Sequence, residues 1–213
     1  GATIDFDDVT HKGITNISTD DVAVAQELGY VIKLVGDVRE VESGISAEVS
    51  PTFLPKNHPL ASVNDVMNAV FVESIGIGES MYYGPGAGQK PTATSVLADI
   101  IRIARRLSDG NVGKPFNEFR RDLPLANPAD VKSNYYFALD TPDEKGKILH
   151  LSEIFNSEDI SFEQVLQQKA NGTTARIVVI THAMSKTQLK AVTEKLEAAE
   201  DFTVVNTLKV LSN

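Results

Sequence analysis

The chain has 213 residues, of which 42% are hydrophobic and 23% charged, as expected for a globular protein with one large domain or two modest ones. Its net charge of -9 argues against a nucleic-acid partner, whose phosphates require clustered lysine and arginine. The lack of cysteine excludes disulfides, thiolate metal sites and cysteine nucleophiles, and is compatible with the cytoplasm, where we expect the protein. No apolar run approaches the ~18 residues of a membrane-spanning helix, and no secretory signal is visible at the N-terminus.

The first 107 residues show strand and helix patterns in alternation. A capping pattern at Ser18 precedes a short amphipathic helix that Gly29 ends. Strands are predicted at residues 31–41, 45–54, 66–75 and 79–83. Thr92 opens the longest helical pattern, whose apolar face comprises Val96, Ile100, Ile103 and Leu107. Several strands followed by a covering helix predict a mixed or antiparallel sheet with helices on one face.

Residues 108–133 carry glycines and prolines but no sustained apolar period. Loops of this length are rare inside a compact domain, so the segment predicts a connection between domains. We therefore expect one domain in residues 1–107, a linker in 108–133 and a second domain in 134–213.

The second domain has a regular order of elements. Strands are predicted at 135–139, 160–166, 175–181 and 202–211, and the first helix at 147–156. The second helix opens with the capping-box spacing Ser185–Gln188 and buries Leu189, Val192 and Leu196. The order βαββαβ within about 80 residues is typical of a ferredoxin-like fold.

A glycine-rich string, YGPGAG at 83–88, lies between a predicted strand and the helix that begins at Thr92. Glycines at a helix N-terminus can approach phosphate, but the spacing is G-x-G-x-G rather than the dinucleotide-binding G-x-G-x-x-G. No strand follows the helix to complete a βαβ unit. We interpret the string as a tight turn that offers at most an auxiliary backbone contact.

Other polar groups give weaker indications. His58, in a loop between two prolines, could be a ligand or an acid–base group, although lone loop histidines usually lie on the surface. Asp5, Asp7 and Asp8 could bind a cation, although a solvated cluster is the more common outcome. The remaining histidines are too scattered to predict a metal site, and we expect none.

The turn from the first strand to the first helix of the second domain is a candidate binding site. Gly146 lets the backbone come close to a ligand, and the free N–H groups of the following helix suit a carboxylate. A plain strand-to-helix turn remains the alternative.

Taken together, these segments resemble homoserine dehydrogenase. The matching stretches are DFDDV at 5–9, GI at 13–14, ELGYVIKL at 27–34, PT at 51–52 through LA at 60–61, VN at 63–64, NAVFV at 68–72, YGPGAG at 83–88, TA at 92–93 and ADI at 98–100. The resemblance covers about residues 1–107. Residues 134–213 resemble an ACT domain, on the pattern of elements and the turn at 143–146.

The resemblance implies an NAD(P)-dependent interconversion of homoserine and aspartate semialdehyde, on the route to threonine and methionine. The fold class it implies is α+β, with part of a substrate-binding and dimerisation domain followed by a ferredoxin-like βαββαβ ACT domain. The family's Rossmann glycines, catalytic lysine and substrate-binding acidic residues precede the matching stretches. We therefore expect a fragment that has no catalytic residue, binds no NAD(P) alone and is inactive, with Gly88 touching the nicotinamide nucleotide in the intact enzyme.

ACT-type domains commonly pair side by side and bind amino acids at strand-to-helix turns. The resemblance thus implies an effector site near Asp143, Lys145, Gly146 and Ile148, a dimer or tetramer, and threonine as the expected effector. Two alternatives stay open. The chain could be a stand-alone amino-acid-binding module, or a purely structural dimerisation unit without a ligand.

Overall fold

The computed structural model describes residues 2–111, 121–168 and 172–211. Its helices are α1 (Thr19–Glu27), α2 (Gln89–Ser108), α3 (Lys147–Asn156) and α4 (Lys186–Ala198). Its strands are β1 (Thr10–His11), β2 (Tyr30–Val41), β3 (Gly44–Pro55), β4 (Met67–Ser74), β5 (Gly78–Pro85), β6 (Lys132–Pro142), β7 (Phe162–Gln167), β8 (Thr174–Thr181), β9 (Met184–Ser185) and β10 (Thr203–Val210). Within the described ranges, none of the helices has the length and apolar character needed to cross a membrane.

The chain divides into two compact units. The hairpin unit is Asn57–Arg121, and the sheet unit combines Ala2–Lys56 with Asp122–Asn213. This division differs from the expected one into residues 1–107 and 134–213, because the first third of the chain packs with the last third. The segment between them in sequence forms a unit of its own.

The sheet unit is built on one eight-stranded sheet. Its strand order is β1-β3-β10-β6-β8-β7, with β2 paired to β3 and β9 to β6. The joint between the early and late parts of the chain is parallel: Lys209 lies opposite Thr52, and Val210 opposite Phe53. A backbone hydrogen bond of 2.9 Å from Leu211 N–H to the Phe53 carbonyl extends this joint. The expected separation into two independently cored domains is therefore wrong for residues 2–56.

Elements β6, α3, β7, β8, α4 and β10 confirm the predicted βαββαβ order. Their strands are antiparallel neighbours in the order β10-β6-β8-β7. This is the ferredoxin-like arrangement. The α+β class is confirmed, with β1, β2 and β3 extending the sheet beyond its β10 edge.

Alternation along β6 separates two hydrophobic cores, because successive side chains of a strand point to opposite faces. Tyr135, Phe137 and Leu139 lie in a core that includes the buried faces of α3 and α4. Tyr136 and Ala138 lie in a second core with residues of α1. In the second core, the rings of Tyr136 and Phe53 stack at 4.4 Å between centroids, so β3 and β6 share one core as well as one sheet.

A cluster of charged side chains, here the charge cluster, lies where β10 meets β3. Lys209, 6% exposed, contacts both Asp37 on β2 and Glu48 on β3. Lys186 at the start of α4 contacts Glu48 at 2.8 Å, and Arg39 contacts Asp37 at 2.8 Å. The cluster thus joins β2 and β3 to two elements of the ferredoxin-like part.

Part of the expected linker is bound to the sheet unit. Ile45 N–H donates to the Pro124 carbonyl at 2.9 Å, and Ala126 N–H donates to the Ile45 carbonyl at 2.9 Å. Gly44, at φ 145°, faces this segment, and a Cβ there would overlap the Pro124 backbone. Residues 124–126 are therefore held against the β2–β3 turn, while 112–120 lie outside the described residues.

The hairpin unit contains the antiparallel pair β4–β5, in register from Met67 opposite Pro85 to Ser74 opposite Gly78, and helix α2. The sequence predicted strands near 66–75 and 79–83 within a larger sheet, whereas the structure forms a separate two-stranded sheet.

The apolar face of α2 was expected to be buried, but in the described part of the chain its side chains are each more than half exposed to solvent. These side chains are Val96, Ile100, Ile103 and Leu107. A helix pattern predicts an apolar face without identifying what covers it.

Candidate functional site

Helix α3 begins at a turn that leaves backbone donors open. Gly146, its N-cap, has φ 91°, a left-handed conformation that glycine adopts without a Cβ clash. No described side chain caps this end. The first intrahelical bond runs from His150 N–H to the Gly146 carbonyl at 3.0 Å, so the preceding N–H groups have no acceptor within the helix. These groups, with the helix dipole, suit an anionic ligand.

A cavity of about 310 Å³ opens beside this turn. Its lining comes from the end of β6, the turn, the first turn of α3, and single residues of β7 and β8. The lining residues are Thr141, Pro142, Glu144, Lys145, Gly146, Lys147, Ile148, Leu149, Gln167 and Ile177. The lining therefore combines backbone donors and lysines of the turn with apolar side chains such as Ile177.

Two residues of the cavity lining, Glu144 and Lys147, belong to a network of polar contacts that extends to Asp201 and His150. Lys147 Nζ lies 3.3 Å from carboxylate oxygens of both Glu144 and Asp201. Desolvation opposes the charge of Lys147, but hydrogen bonds to these two carboxylates raise its pKa. His150 Nδ1 lies 2.9 Å from Asp201, and hydrogen bonds from His150 and Lys147 lower the pKa of Asp201. Lys147 is thus held in place as a cation at the helix N-terminus.

The structure places three of the four expected effector residues at this cavity: Lys145, Gly146 and Ile148. Asp143 is not among its described lining residues. Its backbone N–H donates instead to the Thr173 carbonyl at 2.9 Å, which fixes the turn against the start of β8. Thr141 was not predicted as a site residue, although the alternation along β6 places it on the same face as Leu139, beneath α3.

Gly88 lies in the hairpin unit, at the N-cap of α2 with φ 123°. Thr92 N–H makes the first intrahelical bond, to the Gly88 carbonyl at 3.1 Å. Since proline at position 91 lacks an N–H, the turn can offer the backbone donors of Gln89 and Lys90. The strand before the helix belongs to an antiparallel pair, so the described part of this unit is not a βαβ nucleotide fold. The turn fits an auxiliary backbone contact.

The weaker candidates have local structural roles. His58 Nδ1 accepts a hydrogen bond from Leu60 N–H at 3.2 Å, and its ring meets Phe71 edge-on at 5.0 Å. Burial lowers the pKa of His58. Asp7 and Asp8 lie in an exposed 3-10 turn. No group of three or more potential metal ligands occurs among the residues that the structure describes.

Comparisons with known proteins agree along the whole chain. The homoserine dehydrogenase family model matches residues 1–101. The homoserine dehydrogenase of Lactococcus lactis is 58% identical over 213 residues, which is 100% of this chain and 50% of that protein. The Corynebacterium glutamicum homoserine dehydrogenase is 37% identical over 207 residues, 95% of this chain and 46% of that protein.

A homoserine dehydrogenase structure from Thiobacillus denitrificans superposes with a TM-score of 0.89 and 29% identity, over 99% of this chain and 49% of that one. The present chain thus spans about half the length of the relatives that it matches. On the sequence matches in both compact units and the agreement in fold, the chain belongs to the homoserine dehydrogenase family.

Proposed function

We propose that this chain forms the C-terminal half of a homoserine dehydrogenase, an NAD(P)-dependent enzyme that interconverts L-homoserine and L-aspartate 4-semialdehyde on the route to threonine and methionine. The similarity over all 213 residues to an enzyme of that name is the observation that carries this proposal. The hairpin unit, together with residues 2–56 of the sheet unit, would contribute to substrate binding and dimerisation, and the ferredoxin-like part of the sheet unit would contribute to regulation.

In the intact enzyme, the nicotinamide cofactor would supply the hydride acceptor. The contribution of this chain would be made by the turn at Gly88, whose following N–H groups at Gln89 and Lys90 can hold a nucleotide oxygen. Such a contact positions the cofactor and leaves proton transfer to residues outside this chain. We therefore expect the isolated chain to be inactive.

A chimera tests this role. The matching half of the Lactococcus lactis enzyme would be replaced by this chain, and NAD(P)H formation from L-homoserine measured. We expect activity from the chimera and none from the chain alone. A soluble, folded chimera without activity would contradict the proposal.

Within that chimera, Gly88→Ala tests the cofactor contact. It should raise the KM for NAD(P) about tenfold, because a Cβ at φ 123° would displace the N–H groups of Gln89 and Lys90, with little change in the KM for homoserine. Gly110→Ala is the control for an alanine at a positive-φ position (67°), since Gly110 lies just beyond the other end of α2. Equal effects of both substitutions would show that backbone strain, rather than cofactor contact, is responsible.

A second function is favoured by the cavity at the α3 N-terminus. We propose that residues 134–213 are an ACT domain and that the turn containing Lys145, Gly146 and Ile148 binds an amino acid, with threonine as the expected effector. Uncapped N–H groups and two lysines can hold the ligand carboxylate. Glu144, the acidic residue of the cavity lining, can attract its ammonium group.

Calorimetry with L-threonine, L-isoleucine and L-methionine tests the sensor proposal, and light scattering tests the proposed dimer or tetramer. Lys145→Ala should weaken binding of the active amino acid several-fold. Lys190→Ala, on the exposed face of α4, is the control. If the wild-type chain gives neither heat nor a thermal shift with any of the three, only a structural role in assembly would remain.

A further inference from the structure

Thr141 carries a hydroxyl group that the fold does not use. The residue is 2% exposed, and its Oγ1 has no hydrogen-bond partner among the residues that the structure describes. Buried hydroxyls in native proteins almost always have a partner, because desolvation without one is unfavourable. Valine has nearly the same shape and would avoid this cost, so the hydroxyl calls for an explanation.

The position of Thr141 supplies one. It lies near the end of β6, opposite Ala175 on β8, on the strand face that α3 covers. It lines the cavity at the α3 N-terminus together with Gly146 and Ile177. Thr141, with its unsatisfied buried hydroxyl, and the turn with its open backbone donors thus line the same cavity.

We propose that Thr141 is a ligand-contacting, specificity-determining residue of this cavity, and that its Oγ1 hydrogen-bonds an uncharged polar group of a small carboxylate ligand. The inference rests on the amino-acid site proposed above and adds the ligand group that would contact the part of the cavity lined by Thr141 and Ile177. A charged group beside Ile177 would be poorly solvated, whereas a hydroxyl or amide can be satisfied by one hydrogen bond. The ligand carboxylate lies at the α3 N-terminus, near the lysines.

Calorimetry with L-threonine and L-valine tests this arrangement, because the two amino acids differ by a hydroxyl in place of a methyl group. The intact chain should bind L-threonine about tenfold more tightly, the effect of one hydrogen bond. Thr141→Val should reduce the affinity for L-threonine to the level of L-valine, and Thr141→Ser should retain most of it. Thr193→Val, which removes a hydroxyl bound within α4, is the matched control and should change neither affinity.

The melting temperature of the ligand-free variants provides a second readout. Because the Thr141 hydroxyl has no partner in the described structure, Thr141→Val should melt at the same temperature as wild type or above it. A lower melting temperature would show that the hydroxyl stabilises the fold, and would overturn the inference.

The outcomes separate the two proposals. Binding of L-threonine with unchanged affinity in Thr141→Val would overturn the role of Thr141 and leave the amino-acid site intact. Weaker but equal binding of both amino acids to Thr141→Val would show that the hydroxyl contacts a group common to both ligands, contrary to the inference. No binding of either amino acid to the wild-type chain would overturn both proposals.

Discussion

The hydroxyl of Tyr136 on β6 donates a hydrogen bond of 2.9 Å to the carboxylate of Asp21 on α1. Asp21 is 1% exposed and also accepts from Ser18, within its capping box, and from Asn206 Nδ2 at 3.0 Å on β10. One buried carboxylate therefore joins α1 to two strands of the ferredoxin-like part. Burial opposes its ionisation, yet these hydrogen bonds hold the pKa of Asp21 below its usual value.

Replacing this carboxylate should destabilise the sheet unit. In Asp21→Asn, the hydrogen bonds from Ser18, Tyr136 and Asn206 lose their charged acceptor, and one carboxylate oxygen is replaced by an NH₂ group that cannot accept. We expect a decrease of about 2 kcal/mol in the free energy of unfolding, measured by urea denaturation at pH 7. Asp20→Asn changes the neighbouring carboxylate, which is 70% exposed, and should lower stability by less than about 0.5 kcal/mol.

The same pair predicts a pH dependence. Because the folded pKa of Asp21 is lowered, its stabilising contribution is present above the unfolded pKa, near 3.8, and is lost as pH falls through the folded pKa. The difference in free energy of unfolding between wild type and Asp21→Asn should therefore decrease as the pH is lowered from about 4 to about 2. A difference that stays constant over this range would show that the carboxylate charge is not responsible.

Local patterns were enough to predict much of the fold. Elements β6, α3, β7, β8, α4 and β10 each carry their own periodicity, and the capping box at Ser185 marks the start of α4. The parallel joint of Lys209 to Thr52 was missed because a pairing across more than 150 positions leaves no trace in the neighbourhood of either residue. For the same reason the division into 1–107 and 134–213 was wrong, although the elements within it were largely correct.

The candidate site was predictable to a similar extent. Gly146 followed by a helical pattern indicated an open N-terminus, and the structure adds a cavity there. Thr141 could have been assigned to the α3 face from strand alternation, but its missing hydrogen-bond partner depends on the packing around it. For the exposed apolar face of α2, neither the sequence pattern nor the fold identifies what the face contacts.

Substitution within the charge cluster should also destabilise the sheet unit. Lys209→Met would leave Asp37 and Glu48 close together without their buried cation. We expect a loss of about 3 kcal/mol in the free energy of unfolding at pH 7, as for other broken buried ion pairs. Lys190→Met, in which the lysine side chain is 79% exposed, is the control and should lie within about 0.5 kcal/mol of wild type.

Lowering the pH should reduce the difference in free energy of unfolding between wild type and Lys209→Met. Burial opposes the charge of Glu48, but Lys209 holds its pKa below the usual value, and Asp37 behaves in the same way. Without the lysine both pKa values rise, so the variant is least stable relative to wild type at neutral pH and recovers as the carboxylates protonate. Adding Glu48→Gln to Lys209→Met should restore part of the loss at pH 7. No restoration would mean that packing of the lysine stem, rather than charge, is responsible.

In the hairpin unit, we expect alanine to be tolerated at Gly86 only if Asn68 is also replaced. Its N–H donates to the Val66 carbonyl at 3.0 Å, and a Cβ at this position would overlap the side-chain amide of Asn68. Gly86→Ala should therefore increase amide hydrogen exchange in β4 and β5, while Gly84→Ala, whose Cβ would meet no described atom within 4 Å, should not. The double substitution Gly86→Ala with Asn68→Ala should return exchange to the wild-type level, and a failure to do so would contradict the steric explanation.

Gly44 tests whether residues 124–126 belong to the sheet unit in solution. At φ 145° an alanine is strained, and its Cβ would push against the Pro124 carbonyl that receives the Ile45 N–H. We expect Gly44→Ala to lose about 2 kcal/mol of stability and to expose this segment to limited proteolysis. Gly36→Ala is the matched control on β2, because its Cβ would make only an ordinary contact, 3.9 Å from Val49. If the wild-type chain is cleaved at 124–126 as readily as Gly44→Ala, the segment is not held by the β2–β3 turn, and the linker expected from the sequence would be the better description.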